Sequence, residues 1–479
     1  MTFVRAPGLH AGIAVTFAAA LLFAPTAHAE DHGEAAYNAW TAAFLVKGDL
    51  GNHKGMTFFA KSLTGPDHKV PDDNWRLALD IMVVADTYLH TRKPEQLILL
   101  DTLLGDYMKF NGTDYSGDQW NDDLGWISIA FIRGYQLTGQ QKYLDMSAKL
   151  WNLAYDRGWD SELGGGIWEN KVERPGKEAL SNNPFIISGI ALYEATKDQA
   201  YLTKATAIYD WVRKNLFDAK TGRVNQGLNP PNTLNPGGNV YNSGTFIIAA
   251  NNLYRVLGTT SYRDDAQKAI DFVLAKGPIL RDSDNTQNAL WAYWFIKGLT
   301  EFCAANDKWA QYQDYLDMNA QSSWANRDPK TNLTGNDWTA VYAYSDTSKV
   351  GPMPSNSGVA IWQLNDPSIG AVDAGPDAGA GGEDGGGSGT ADGGSPADGT
   401  GAGAAGTGDA GANTGSAGEV DAGDRAAPMN ARSSAHGSGC SCLLVAERES
   451  RGLPLAGFFG LLLFATRKRR RAARSTEAG

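Results

Sequence analysis

The sequence predicts an all-α fold, an (α/α)6 toroid of six helical hairpins. Pairs of tyrosines eight residues apart recur in it, at Tyr135 and Tyr143, Tyr193 and Tyr201, and Tyr254 and Tyr262. Each pair flanks a polar turn, and apolar stretches of helical period lie on both sides. Strand patterns are scarce and limited to short pieces such as Trp338 to Tyr344. A repeated helical hairpin with little sheet is therefore the expected architecture.

Twelve helices are predicted between residues 30 and 364. Their starts lie near Glu34, Asn74, Glu95, Asp122, Gln141, Asn182, Tyr201, Ser243, Tyr262, Thr286, Asp307 and Ser355. Taken in order, the twelve helices pair into six hairpins. Six hairpins can close into a ring in which outer and inner helices alternate, and the even-numbered helices are expected to be the inner ones.

Residues 1–29 are predicted to be a secretory signal peptide rather than part of the fold. Arg5 supplies the positive charge, Ala11 to Phe23 is apolar, and Ala27-His28-Ala29 is a small-x-small cleavage site. The protein is therefore expected to be exported, with the helical domain covering residues 30–364.

Residues 365–439 form a segment of a different composition, rich in Gly, Ala and Asp and almost without large apolar side chains. Such a segment cannot bury enough apolar surface to offset its chain entropy, so it is predicted to be a disordered linker.

Residues 440–479 contain Cys440, an apolar run from Gly452 to Thr466 and a basic cluster from Arg467 to Arg471. The run is shorter than the roughly 20 residues that a stable membrane-spanning helix needs. The segment resembles the C-terminal sorting tails of myxobacterial surface proteins. This resemblance implies that sorting machinery cleaves the chain near Cys440 and holds the protein at the cell surface. A single-pass transmembrane helix is the alternative.

Charge and composition narrow the class of partner. The net charge of -11 argues against nucleic acid. The 14 Trp and 18 Tyr suit the stacking of sugar rings, although core packing explains them equally well. Three cysteines are too few for a disulfide framework. A monomer is expected.

The predicted starts of the even-numbered helices share a cluster of Asn, Asp and Ser. These clusters are Asp72-Asp73-Asn74, Asn121-Asp122-Asp123, Ser181-Asn182-Asn183, Tyr241-Asn242-Ser243, Asp284-Asn285-Thr286 and Ser355-Asn356-Ser357. Helix capping explains any one of them. If these helices are the inner ones, however, the clusters meet at one end of the ring. Long Gly-rich loops from Trp159 to Trp168 and from Asn229 to Gly238 then surround a cleft.

Asp122 and Asp123 are the candidate catalytic pair, within Gln119-Trp-Asn-Asp-Asp-Leu-Gly-Trp126. A purely structural role is the alternative, because acids are favoured in the first turn of a helix. Neighbouring helical side chains point about 100° apart, so both carboxylates can reach one cleft. Retaining glycosidases use carboxylates about 5 to 5.5 Å apart, one as acid and one as nucleophile.

Histidine is missing from the stretch between Thr91 and Leu364. This excludes a Ser-His-Asp hydrolase and a histidine-based lyase within that stretch, and it argues against a zinc site. Asp282-Ser-Asp-Asn-Thr-Gln lacks the Gly and the terminal Glu of a calcium loop. No metal and no cofactor are predicted. Acid–base and nucleophilic chemistry by carboxylates is the remaining candidate for catalysis.

An ordered set of motifs resembles glycoside hydrolase family 76. The set comprises Gln119 to Trp126, Tyr135 to Gly139, Gly158 to Trp168, Ser181 to Phe185 and Val240 to Gly244. The resemblance implies an (α/α)6 barrel and a retaining endo-α-1,6-mannanase. It also implies that Asp122 is the nucleophile and Asp123 the general acid/base. Two positions depart from the family pattern: Glu169 replaces an aromatic residue, and Trp294 to Gly298 matches only loosely.

Several residues are predicted to bind a polysaccharide of the α-mannan type. Trp168 would stack on a sugar, and Gly164, Gly165 and Gly166 would let the backbone approach it. Side chains that would reach sugar hydroxyls are Asn182, Asn183, Tyr241 and Asn242. A core anchor for Trp168, and capping for the asparagines, are the alternatives. Two other functions stay open: a transglycosidase with the same acid pair, and a non-catalytic glycan-binding surface protein.

Overall fold

The computed structural model describes residues 31–47, 54–281 and 291–369. The predicted signal peptide, nearly all of the predicted linker, and the C-terminal segment with Cys440 lie outside the described residues. These predictions therefore stay predictions.

Twelve α-helices make up most of the described part of the chain. They are α1 His32–Phe44, α2 Asn74–Thr91, α3 Pro94–Asn111, α4 Asn121–Thr138, α5 Gln141–Gly158, α6 Asn183–Thr196, α7 Gln199–Asn215, α8 Val240–Leu257, α9 Thr260–Leu274, α10 Ala292–Asn306, α11 Trp309–Ala325 and α12 Met353–Leu364. The predicted start of the tenth helix, Thr286, lies outside the described residues, and α10 begins at Ala292.

The even-numbered helices form a closed inner ring. Each contacts the next, from α2 through α4, α6, α8 and α10 to α12, and α12 contacts α2. The odd-numbered helices lie outside this ring, each packed against an inner neighbour. The all-α toroid predicted from the sequence is thereby confirmed.

Burial separates the two sets of helices. In α6, Asn183 to Ile190 are all buried, as is typical of a helix with protein on every side. In α5, by contrast, the buried residues such as Tyr143, Leu150 and Trp151 follow one face. An apolar surface all round therefore places a helix inside the ring, and a one-sided apolar surface places it outside.

Five short strands accompany the helices in the described part of the chain. They are β1 Leu45–Lys47, β2 Thr57–Phe59, β3 Lys177–Glu178, β4 Gly227–Asn229 and β5 Thr233–Asn235. β1 pairs with β2, and β3, β4 and β5 form an antiparallel sheet in that order.

The strand predicted from Trp338 to Tyr344 is wrong. The backbone N–H of Tyr342 donates to Asn326 O at 3.0 Å, and that of Tyr344 donates to the Asp328 carboxylate at 3.0 Å. Because these donors bond to the end of α11 and the turn after it, they are not available to a sheet.

Candidate active site

The starts of the inner helices contact one another at one end of the ring, which we call the mouth. Trp291, immediately before α10, stacks on Trp75 of α2 with ring centroids 4.9 Å apart. The same Trp291 lies 4.7 Å from the Tyr241 ring of α8. Asn183 of α6 donates through Nδ2 to the backbone oxygen of Asn242 of α8 at 3.3 Å. Four helix starts are linked by these contacts.

The starts of α4 and α12 complete the mouth. Asn356 of α12 donates through Nδ2 to Asp80 Oδ1 of α2 at 3.3 Å. On α4, a Cβ atom added to Gly125 would lie 2.8 Å from the Phe185 ring of α6. Close backbone approach at this glycine therefore places the first turn of α4 directly beside the start of α6. Five of the six predicted clusters of polar residues belong to one end of the ring, and the sixth, Asp284 to Thr286, lies outside the described residues.

Asn121 fixes the start of α4 by a different means from the one predicted. No side chain caps this helix. The Asn121 amide donates to Trp168 O at 2.7 Å, and its oxygen accepts from Arg157 Nε at 2.7 Å. Its backbone N–H donates to Glu169 O at 2.8 Å. Asn121 thus ties α4 to the loop after α5 rather than capping its own helix.

Asp122 and Asp123 lie together in the first turn of α4. Asp122 is buried, with 1% of its surface exposed, whereas Asp123 is half-buried. The helix N-terminus favours negative charge at both positions. The structure thus places both predicted carboxylates at the mouth, and their side chains point in different directions from one turn.

The surroundings of Asp123 favour its protonated form. Burial raises the pKa of Asp123 well above its usual range, and the carboxylates of Asp118, Asp73 and Glu169 raise it further. These three acids come from the loop before α4, the residue before α2, and the loop after α5. A carboxyl kept protonated near neutral pH is what a general acid requires.

Two more buried acids lie behind this turn. Burial raises the pKa of Glu169 to about 8, and the Glu178 and Glu173 carboxylates add to the shift. Burial also raises the pKa of Glu178 to about 7. A hydrogen bond of 2.6 Å, which its carboxylate accepts from Gln226 Nε2, lowers the pKa in part. Gln226 in turn accepts from Asn242 Nδ2 at 2.9 Å. A hydrogen-bonded network therefore runs from β3 to the start of α8.

A further pair of acids occupies the start of α2. Burial raises the pKa of Asp72 to about 6 and that of Asp80 well above its usual range, and for Asp80 the Asp72 carboxylate adds to the shift. Arg76 donates to Asp72 at 3.4 Å. The mouth as a whole is rich in carboxyl groups, several of which are uncharged near neutral pH.

The structure favours the core-anchor interpretation of Trp168. Its side chain is 1% exposed and donates through Nε1 to Asp160 Oδ2 at 2.8 Å. The Lys177 ammonium lies 4.7 Å from the centre of its ring, and the Arg174 guanidinium lies 5.5 Å from it. In this arrangement the ring is covered by charged side chains rather than presented to a sugar, so the stacking role stays a prediction.

The three glycines before Ile167 have positive φ values, of 78°, 119° and 82° at Gly164, Gly165 and Gly166. A Cβ atom at Gly166 would lie 2.7 Å from the Trp211 ring, and one at Gly165 would lie 3.1 Å from the same ring. The glycines are therefore required by the turn and by close packing against α7. Their approach to a sugar stays a prediction.

The predicted hydroxyl-binding residues are all buried and already hydrogen-bonded to the protein. Asn182 accepts from the Ile167 N–H at 2.8 Å and donates to Glu178 O at 2.7 Å. Asn183 donates to Thr245 Oγ1 at 3.0 Å. The hydroxyl of Tyr241 is bonded to Gln226. Asn182 therefore anchors the glycine loop, and no side chain caps α6.

Many buried polar atoms at the mouth have no hydrogen-bond partner within the described part of the chain. They are Asp80 Oδ2, Trp126 Nε1, both Glu169 carboxyl oxygens, Asn183 Oδ1, Asn242 Oδ1, Ser243 Oγ and Asn356 Oδ1. Burying such groups unpaired is costly, and most proteins contain few of them. Several of these atoms belong to the first turns of the inner helices, where a polar ligand could supply the missing partners.

A cavity lies at the opposite end of the ring, among the second halves of the inner helices. Asp86 there accepts from Lys297 at 2.9 Å and from the Tyr293 hydroxyl at 2.7 Å. Glu194 is paired with Arg255, and Glu301 with Lys297. Each of these three carboxylates is in an ion pair. The cavity therefore offers no acid pair for catalysis.

Sequence reasoning missed Lys177, Glu178 and Gln226. Lys177 is fully buried, and its ammonium donates to Asp160 Oδ1 at 2.6 Å and to the backbone oxygens of Glu162 and Gly165 at 2.7 and 2.8 Å. It thereby holds the glycine loop in place. No spacing rule marks these residues, because they act through contacts between loops. Among residues 31–47, 54–281 and 291–369, no group of three or more His, Cys, Asp or Glu could hold a metal ion.

A toroid of six helical hairpins with a pair of adjacent carboxylates at its mouth belongs to the (α/α)6 class of glycoside hydrolase folds. Within that class, the model of Glycosyl hydrolase family 76 matches residues 52–364. The chain belongs to this family. None of the curated proteins compared with the chain matches it in sequence.

Solved structures resemble the chain over the same domain. One is an inactive variant of the α-1,6-mannanase GH76A of Salegentibacter sp. HEL1_6 in complex with α-1,6-mannotriose, in which two consecutive aspartates are replaced by asparagine. It is 25% identical, with 71% of this chain and 99% of that chain covered and a TM-score of 0.62. The Lin0763 protein from Listeria innocua is also 25% identical, with coverages of 70% and 96% and a TM-score of 0.62.

A more distant structure is Dfg5 from Chaetomium thermophilum, in complex with glucosamine. It is 14% identical, with 70% of this chain and 89% of that chain covered and a TM-score of 0.59. At this identity the likeness concerns the fold alone.

Proposed function

We propose that the domain is a retaining endo-α-1,6-mannanase that cleaves mannan or a related mannose-containing glycan. The observation that carries this proposal is the position of Asp122 and Asp123 in one turn at the mouth, with Asp123 in surroundings that favour its protonated form. The family of the chain and the α-1,6-mannanase among its structural relatives support the choice of substrate.

In the first step, Asp122 is the nucleophile. Its carboxylate attacks the anomeric carbon and forms a β-mannosyl-enzyme, while Asp123 donates its proton to the departing O6. In the second step, the ionised Asp123 takes a proton from water, and the resulting hydroxide attacks the same carbon. The bond to Asp122 breaks and the product regains the α configuration. Each aspartate ends the cycle in the state in which it began.

Three pairs of consecutive aspartates occur in the chain, at 72–73, 122–123 and 264–265. Asp265 is buried against Arg213 on the outer helix α9, away from the mouth. Asp73 pairs with Lys61 at 2.9 Å and with Arg76 at 3.5 Å. At 122–123, the half-buried Asp123 lies at the mouth and has a raised pKa, and the salt bridges of 4 Å or less among the described residues do not include it. The relative inactivated at two consecutive aspartates also supports it.

The direct test is to incubate the purified protein with debranched α-1,6-mannan and to analyse the products. We expect mannose oligosaccharides from the wild type and a loss on the order of 10³-fold or more for Asp122→Asn. Added acceptor sugars distinguish hydrolysis from transglycosylation. Release of no oligosaccharide from any mannan, or full activity in Asp122→Asn, would contradict the catalytic assignment.

We also propose that the protein is exported and held at the cell surface, as a monomer that needs no cofactor. Support comes from the predicted signal peptide at residues 1–29 and from the C-terminal segment with Cys440, on which sorting machinery would act. In the described part of the chain, no helix is long and apolar enough to cross a membrane. The apolar run from Gly452 to Thr466 lies outside that part.

A further inference from the structure

Glu169 is fixed relative to the catalytic turn by its main chain. Its carbonyl oxygen accepts from the Asn121 N–H at 2.8 Å, and its N–H donates to Gly176 O at 3.0 Å. On either side, Trp120 and Asn170 form an antiparallel bridge, and the Lys171 N–H donates to Gln119 O at 2.9 Å. The segment before α4 and the loop after α5 are therefore joined by main-chain hydrogen bonds.

The side chain of Glu169 is completely buried. Neither carboxyl oxygen has a hydrogen-bond partner within residues 31–47, 54–281 and 291–369. None of the salt bridges among these residues includes it; the nearby Lys177 bonds to Asp160 instead. An ionised carboxylate without a counter-ion is much more costly to bury than a neutral carboxyl. Glu169 therefore carries its proton over most of the physiological range.

Within the part of the chain that the structure describes, the charged groups that act on Glu169 are acids. Glu173 faces it from the same loop and Glu178 from β3. The Glu169 carboxylate in turn raises the pKa of Asp123 of α4.

The charged groups around Asp123 are also acids. Asp118 faces it from the loop before α4, and Asp73 from the residue before α2. The buried Tyr107 of α3 is close enough to respond to the charge of Asp123. The Arg157 guanidinium of α5 bonds to Asn121 and acts on Asp118 rather than on Asp123.

We propose that Glu169 is a positioning residue of the reaction, whose carboxyl group holds the proton on Asp123 and so extends the activity to higher pH. This inference rests on the proposed function, in which Asp123 must be protonated for the first step. Glu169 acts here through the protonation state of Asp123 and not by contact with the substrate.

The direction of the effect follows from the pKa values. The pKa of Glu169 is about 8, so below that pH the group is neutral and acts only weakly on Asp123. As the pH rises through 8, Glu169 ionises, and its negative charge opposes the ionisation of Asp123. Asp123 therefore keeps its proton to a higher pH than it would beside an uncharged side chain.

The activity test compares the pH profiles of kcat/KM on α-1,6-mannan. In Glu169→Gln we expect the alkaline limb to move down by about half to one pH unit, while the acidic limb keeps its position. Glu169→Met, which also cannot ionise, should give the same shift. The control is Glu95→Gln, at an exposed residue in the first turn of the outer helix α3, which should leave the profile unchanged. A merely structural role would alter stability but leave the alkaline limb where it is.

A second test needs no substrate and uses thermal unfolding between pH 4.5 and 9. A carboxyl whose pKa is raised in the folded state makes the protein less stable as pH rises from the unfolded pKa to the folded pKa. The gain in Tm of Glu169→Gln over the wild type should therefore be absent near pH 4.5, grow up to about pH 8 and then level off.

The coupling with Asp123 is measured by adding Asp123→Asn to this series. If the two charges repel each other, the gain of the double variant at pH 8 to 9 will be smaller than the sum of the single gains, because each single variant removes the same repulsion. Additive gains, or an unmoved alkaline limb, would overturn the inference and leave the proposed function standing. Absence of any mannan cleavage, with the coupling intact, would instead overturn the proposed function.

Discussion

Asp123 illustrates how one carboxylate can be made to differ from its neighbour. The N-terminus of α4 favours the ionised form of an acid in the first turn. Burial and three nearby carboxylates oppose it, and the pKa of Asp123 is raised. No salt bridge of 4 Å or less to Asp123 exists in the described part of the chain. Burial and the neighbouring carboxylates therefore outweigh the helix N-terminus. The protonated acid needed for the first step follows from these surroundings.

At this residue scale, a matched control separates chemistry from structure. Asp264 begins another pair of consecutive aspartates, but it is exposed on the outer helix α9 and accepts hydrogen bonds from Arg263. We expect Asp264→Asn to keep mannan cleavage within about twofold of the wild type and to change stability by less than about 0.5 kcal/mol. The same replacement at Asp122 should abolish cleavage while the far-UV circular dichroism stays that of a folded helical protein. Equal activities in the two variants would contradict the assignment.

The sequence was sufficient to predict the acid pair but not its support. Asp122 and Asp123 stand out because two acids begin an apolar helical run in a stretch without histidine. Asn121 was predicted to cap the helix, whereas it bonds to a loop 47 residues away in sequence. Such long-range contacts depend on the closure of the ring, which no local pattern encodes. The burial of Glu169 and Lys177 was unpredictable for the same reason.

At the scale of the elements, helix starts were predictable where the local sequence alone determines them. Asn74 and Gln141 were predicted as starts and are the first residues of α2 and α5. The prediction for α8 was Ser243, and the helix begins at Val240. Asn239 immediately precedes α8, but no side chain caps the helix. The polar cluster Tyr241-Asn242-Ser243 therefore did not mark where the helix begins. The even-numbered helices were expected to be the inner ones because hairpins in a ring alternate, and they form the inner ring.

The inner ring also depends on close approach between helices. A Cβ atom at Gly244 of α8 would lie 2.3 Å from the backbone carbon of Trp294 in α10, and one at Gly298 of α10 would lie 2.7 Å from Gly244 O. Gly244→Ala should therefore push α8 and α10 apart. We expect a loss of about 3 kcal/mol in the free energy of unfolding, measured by urea denaturation.

The control for that loss is a helical glycine with space around it. A Cβ atom at Gly105 of α3 would meet nothing closer than the Tyr143 hydroxyl at 3.8 Å. Gly105→Ala should stabilise the protein by about 0.5 to 1 kcal/mol, since alanine has the higher helix propensity. If both variants gained stability, the tight contact between α8 and α10 would not exist.

At the scale of the whole molecule, charge is distributed along the axis of the ring. The N-termini of the inner helices meet at the mouth, which carries acids such as Asp72, Asp122 and Asp123. Arg255 lies in the last turn of α8, at the other end of the ring. Helix dipoles favour this arrangement at both ends. Asp122 and Asp123 are therefore separated from the ion pair of Arg255 and Glu194 by the length of the inner helices.

The proposed export and anchoring are also properties of the whole molecule. If sorting machinery cleaves the chain near Cys440, Cys440→Ser should prevent that cleavage and change where the protein resides. Fractionation of cells, with an antibody against the helical domain, should detect the wild type at the cell surface and less of the variant there. An identical distribution of the two proteins would exclude a sorting role for Cys440.

The central claim is that Asp122 and Asp123 act as nucleophile and acid/base in a double displacement. Proton NMR during the first minutes of mannan cleavage reports the configuration of the newly formed reducing end before mutarotation. The account predicts that the α anomer appears first and the β anomer accumulates later. Initial appearance of the β anomer would mean a single inverting displacement, and it would contradict the nucleophilic role of Asp122.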